Sequence, residues 1–192
     1  MKRRHSLKRV SCTLLLIAVM VLSMSACSES WKEEVQFTDG RIIVVDRELI
    51  REAGGDEWAS NRGGTKPKEY RIRFDDPDSS GKMIEWRSTK SDFQTWPEIP
   101  LVLDTMSGKP VVYSIVAISR GCKIYSKYVY QNGDWVEEQL PEQFDQRTTN
   151  LLFGDHKDMP AFIDLKQQRI RNNFIGVRDR NLRVGPTRKV CG

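Results

Sequence analysis

Short runs of alternating apolar and polar residues, separated by Gly-containing turn signals, dominate the chain after residue 31. Tyr70-Arg71-Ile72-Arg73-Phe74 alternates strictly, which predicts a half-buried strand with Tyr70, Ile72 and Phe74 on one face. Lys82–Arg87 returns after the Asp75–Gly81 turn, with Ile84 and Trp86 sharing a face. Three dipeptides predict further hairpins: Asp39-Gly40 between Glu34–Phe37 and Arg41–Val45, Ser107-Gly108 between Leu101–Leu103 and Val111–Ile118, and Asn132-Gly133 between Lys123–Tyr130 and Asp134–Glu138. Val111–Ile118 is almost wholly β-branched or aromatic, as expected of a central strand buried on both faces. Asp46–Ala53 reads as a helical turn or a strand exit, and Gly54–Pro67 as a polar loop. Phe144–Phe153 is irregular or weakly helical. Asp164–Phe174 has a fair helical pattern through Leu165, Ile170 and Phe174. The predicted fold is mainly β, with antiparallel sheets built from sequential hairpins as a sandwich or propeller-like array, plus one short C-terminal helix.

The first residues follow a different logic. Met1–Arg9 is basic, and Val10–Leu22 is an uncharged, mostly apolar run of 13 residues. That is too short to span a bilayer and has the length of a signal-peptide core. Met24-Ser25-Ala26-Cys27 resembles the lipobox of bacterial lipoproteins, with Met24 where Leu is usual. The resemblance implies cleavage before Cys27 and its lipidation; the alternative is ordinary secretory cleavage after Ala26 with a free thiol. Ser28 is not the Asp that favours inner-membrane retention, so the expected address is the periplasmic face of the outer membrane. The domain reading is a removed signal peptide (1–26), a lipidated tether (27–31) and one globular domain (32–192) whose C-terminal segment, 166–192, is basic.

Charge then changes meaning. The formal net charge is +5, but removing Lys2, Arg3, Arg4, Lys8 and Arg9 from 31 basic residues leaves 26 against 26 acidic ones. A chain beginning at Cys27 is formally neutral, so bulk basicity gives no case for nucleic acid. What remains is polarised: Lys166–Gly192 carries eight basic residues and one acid, Asp179. Arg178, Arg180, Arg183, Arg188 and Lys189 are candidate contacts for anionic lipid, or pack on the acidic body.

Of four cysteines, Cys12 leaves with the signal and Cys27 is the lipidation site. Cys122 and Cys191 are expected to form a disulfide in an oxidising compartment, with two free buried thiols as the alternative. No C-x-x-C pair occurs and the mature chain has one histidine, His156, so neither a metal nor a cofactor is expected. Asp76–Gly81 resembles the opening of a calcium loop, but Arg87 stands where a bidentate Glu is needed, and the segment reads as a turn. Adjacent acids such as Glu33-Glu34 point to opposite faces of a strand and make no acid–base dyad; solvated charge is their default. Trp86 and Trp135 follow strand patterns and are expected in the core, whereas Trp58 and Trp96, beside Gly or Pro in loops, are candidate binding anchors or lids on the core.

Most of the mature chain is similar to a family of uncharacterised proteobacterial lipoproteins, through TKPKEYRIRF (65–74), MIEWRS (83–88), YSKYVY (125–130), LPEQFDQRTTNLL (140–152) and VGPTRKVCG (184–192). The resemblance implies no activity. The expected function is non-catalytic binding or scaffolding of an envelope protein or anionic lipid by a chain held on the membrane through its N-terminal lipid. The alternatives are an envelope-polymer hydrolase using acidic residues and an anionic-lipid-binding module.

Overall fold

The computed structural model describes residues 28–53, 64–78, 81–91, 96–118, 122–140, 148–153 and 159–174. Nine strands and one helix are defined among them: β1 (Ser28–Gln36), β2 (Ile42–Ala53), β3 (Thr65–Asp75), β4 (Met83–Arg87), β5 (Ile99–Met106), β6 (Lys109–Ile118), β7 (Cys122–Gln131), β8 (Asp134–Glu138), β9 (Phe162–Ile163) and α1 (Leu165–Phe174). They form two open sheets, ordered β4-β3-β2-β1-β9 and β5-β6-β7-β8. All pairings are antiparallel except β1 with β9. Mainly β architecture from sequential hairpins, with one short helix near the C-terminus, is what the strand patterns predict. Its form is a sandwich: inward rows of both sheets meet in one core holding Val35, Leu49, Ile72, Phe74 and Trp86 from the first sheet and Leu103, Val112 and Tyr128 from the second.

The turns follow their residues. Ser107 and Gly108 have φ of 52° and 73°, and Asn132 and Gly133 have 55° and 91°. Two consecutive left-handed residues give the primed turn whose twist suits paired strands. In the β1–β2 turn, Gly40 N–H donates to Phe37 O at 3.0 Å and Phe37 N–H to Arg41 O at 2.9 Å, and Gly40 takes φ 90°. Arg41 reaches from this turn to Pro77 O, Asp78 and Thr105 at 3.2–3.4 Å. The four hairpin turns thus gather at one end of the sandwich, opposite Ser28.

β6 lies between β5 and β7 and is buried on both faces, as its composition predicts. Val112 points into the shared core, while Val111, Tyr113 and Ile115 join Leu101, Val102, Tyr125 and Val129 in a second cluster on the other face. A bulge at Leu101 puts Leu101 and Val102 into that same cluster.

Four local expectations are corrected. Residues 28–31, read as a tether, are the first four residues of β1: they pair with Arg47–Ile50, Trp31 is buried, and Glu29 binds Arg51 at 2.7 Å. Asp46–Ala53 is neither helical turn nor strand exit but the last two thirds of β2. Its inward row is Val45, Arg47 and Leu49, and the arginine among them hides the two-residue period. Trp135 is half-buried at the edge rather than in the core, donating its Nε1–H to Glu85 O at 2.7 Å. In α1, Ile170 is 56% exposed, and the buried positions among the described side chains are Gln168 and Asn172. Asp164 starts this helix by accepting the N–H of Gln167 at 2.7 Å, and Glu34 accepts that of Leu165 at 3.0 Å.

Candidate functional site

The two long sides of the sandwich are closed differently. On one side the edges β4 and β8 meet through Trp135. On the other, β1 and β5 stay apart, and side-chain amides occupy the place of a further strand. Asn150 Oδ1 accepts Leu103 N–H at 3.0 Å, and its Nδ2 donates to Leu103 O at 2.7 Å and to Gln36 O at 2.9 Å. One amide therefore joins both sheets. Gln168 Nε2 donates to Glu34 O at 3.2 Å and Asn150 O at 2.8 Å. Asn172 bridges Phe153 N–H and Leu151 O at 2.9 and 3.1 Å. These bonds answer the strand-edge groups that water or another chain would otherwise take.

Beside this joint lies a crevice of about 500 Å³, between the end of β1, β5, residues 148–150 and α1. Phe37, Val102 and Leu165 form apolar walls. Asp104, 1% exposed, accepts Thr38 N–H at 3.1 Å, Thr38 Oγ1–H at 2.8 Å and Thr105 N–H at 2.8 Å. Arg169 stands exposed at the rim, one Nη2 bond reaching Gln36 Oε1 at 3.1 Å. A second concavity, about 530 Å³, opens among the hairpin turns, where the Lys82 ammonium lies 5.0 Å from the Tyr130 ring centre.

Solvated charge, the default expected for the acids, fails at three positions. Glu33 and Glu98 are fully buried, and Asp104 nearly so. A carboxylate without water must collect donors from the protein. Glu33 pairs with buried Arg47 and accepts Leu152 N–H at 3.1 Å; the Arg47 guanidinium in turn lies 5.3 Å from the Trp31 ring centre. Glu98 accepts Thr89 N–H at 2.7 Å, Lys90 N–H at 3.2 Å, Ser114 Oγ–H at 2.7 Å and Tyr128 OH at 3.0 Å. Burial first, and the Glu98 charge with it, pushes the Tyr128 hydroxyl's ionisation above its usual range. Lys90 donates to Ser126 Oγ at 2.9 Å and pairs with Glu137, but Ser126 is itself buried.

The outward face of β1–β4 is a charge lattice. Arg71 and Arg73 reach Glu48 at 3.5 and 2.9 Å, and Glu85 pairs with Arg73 and Arg87. Burial works against the Glu85 charge, yet hydrogen bonds from the two guanidinium groups hold its carboxyl below the ordinary range. Partly solvated pairs of this kind contribute little individually.

Of the expected site residues, Trp96 and Cys122 are among those described, and neither lines the crevice. Trp96 is 36% exposed in the loop before β5, next to the Ser91–Pro97 bridge. Cys122 opens β7 opposite Ile118. Cys27, Trp58, His156, Arg178, Arg180, Arg183, Arg188, Lys189 and Cys191 lie outside the described residues. Among the described residues no group of three or more His, Cys, Asp or Glu is placed to hold a metal. The crevice residues Asp104, Asn150, Gln168 and Arg169 escape sequence reasoning because their partners are far away in the chain; the bond from Gln168 to Glu34 spans 134 positions. Comparison with family models, curated proteins and solved structures gives no match.

Proposed function

We propose that the protein is a lipid-anchored envelope protein, lipidated at Cys27 and facing the periplasm from the outer membrane, that binds or scaffolds another envelope component without catalysis. The observation that carries this reading is the position of β1. Its first residue, Ser28, directly follows the lipobox cysteine, and Trp31 is already in the core. A lipid on Cys27 would therefore seat the sandwich at the membrane with almost no linker. At about 3.3 Å per residue, the nine residues of β1 hold the hairpin-turn end roughly 30 Å away. The membrane-distal end and the crevice beside it would then meet a partner.

The buried carboxylates support a binding role over hydrolysis. Glu33 and Glu98 are each engaged by several protein donors and closed to substrate. The lipid-binding alternative loses ground for a geometric reason. The described part of the basic segment, α1, docks on Glu34 and Gln36, about 20 Å along β1 from Ser28.

The test is fractionation with in-cell crosslinking. The natural chain should enter the membrane fraction and crosslink to a retained partner, and Cys27→Ala should release it to the soluble fraction. Crosslinking that captures only monomer would count against the binding role, and unchanged fractionation of Cys27→Ala against the anchor.

A further inference from the structure

We propose that the crevice between β1, β5 and α1 binds the C-terminal end of a peptide with an apolar last residue. This rests on reading the chain as a binding protein, and not on its lipid anchor.

Gln168 is the first element. The side chain is 3% exposed and lines the crevice. Both of its Nε2 bonds are spent on main-chain oxygens, Glu34 O and Asn150 O, which fixes the amide plane. Its Oε1 has no donor among the described residues. A fixed acceptor on the crevice wall, with no donor among the described residues, is open to a ligand N–H.

Arg169 is the second. It stands at the rim with only the neutral Gln36 Oε1 as a partner, and no carboxylate pairs with it among the described residues. The acid on the crevice wall, Asp104, is committed to Thr38 and Thr105. The crevice thus has an inner end that accepts donors and an outer end that accepts an anion. Phe37, Val102 and Leu165 supply apolar lining.

The last residue of a peptide presents a complement to each of these groups. Its amide N–H meets Gln168 Oε1, its side chain meets the apolar walls, and its carboxylate meets the Arg169 guanidinium in a charge-assisted pair. A free amino acid would lack the acyl group that fills the remaining volume. A fatty acid would leave Gln168 Oε1 unanswered.

The experiment is a fluorescence-anisotropy titration of the full chain in detergent. The probe is a labelled tripeptide ending in Leu-Leu with a free carboxylate, compared with the same peptide ending in a carboxamide. Saturable binding is expected, weaker by about tenfold or more for the carboxamide. Arg169→Gln, at an exposed position, should lose about tenfold for the acid and erase the difference between the two probes. Thr148→Trp, at the exposed rim, should block both. A fifteen-residue probe with the same ending distinguishes a free short peptide, bound equally well, from a protein tail, bound more tightly; either pattern supports the site. No saturation to about 1 mM, equal affinity for acid and carboxamide, or full affinity in Arg169→Gln would overturn the assignment. A crosslinked partner found in cells alongside failed peptide binding would remove the crevice assignment and leave the binding role standing.

Discussion

Replacing Asn150 with alanine should open the joint between the two sheets. The side chain makes three bonds of 2.7–3.0 Å, to Leu103 N–H, Leu103 O and Gln36 O, and its deletion leaves all three main-chain groups on strand edges without that partner. Each bond contributes about 1 kcal/mol net, and more where the abandoned group stays dry. The site is half-buried, so water recovers part of the loss, and the expected cost is about 2–3 kcal/mol. For a domain of this size that corresponds to a melting temperature lowered by roughly 4–12 °C. Asn150→Asp is the informative companion. It keeps an acceptor for Leu103 N–H but turns a carboxylate toward two carbonyl oxygens, and should cost at least as much as alanine. Urea unfolding followed by tryptophan fluorescence reads both variants, because Trp31 and Trp86 are buried in the shared core. A cost below about 0.5 kcal/mol for Asn150→Ala would refute the reasoning.

Other perturbations test other parts of the fold. Glu33→Gln leaves Arg47 as a buried charge without its counter-ion and should cost about 3–5 kcal/mol, whereas Glu33→Leu with Arg47→Met should cost clearly less; a thermodynamic cycle measures both. Tyr70 is held neutral by burial, its ionisation pushed from 10.0 up to about 12. Its contribution to stability is intact below pH 10 and is lost as pH rises from 10 to about 12, because only the unfolded chain ionises there. Tyr70→Phe should flatten that part of the alkaline stability profile, and a profile of unchanged slope would contradict the assignment. Ser107 holds φ 52° without being glycine or asparagine, so Ser107→Asn should stabilise by about 0.5 kcal/mol, read as a raised urea midpoint.

The parts of this fold that local chemistry specifies were legible in the sequence. Asp39-Gly40, Ser107-Gly108 and Asn132-Gly133 mark their turns because few residues tolerate left-handed φ. Val111–Ile118 marks the doubly buried β6 because both of its faces are apolar. The misread segments are those where a charged side chain stands in an inward position. Glu33 and Arg47 interrupt the apolar alternation of β1 and β2, so residues 28–31 read as tether and 46–53 as helix or exit. Each charge is tolerated inside only because the other is there, fourteen residues away, and neither segment alone announces the pair. The crevice was the least legible part. Asn150, Gln168 and Asn172 look like surface amides in a polar stretch, and their role depends on strand edges brought beside them by the fold. The two-residue β9, parallel to β1, carries no periodic signal at all.

The reading of this protein as a lipid-anchored sandwich seated directly on its cysteine is tested most directly by intact mass of the chain extracted from membranes. The account predicts the mass of residues 27–192 plus a diacylglyceryl group and an N-acyl chain. The mass of the uncut chain, or of residues 27–192 with an unmodified Cys27, would contradict it.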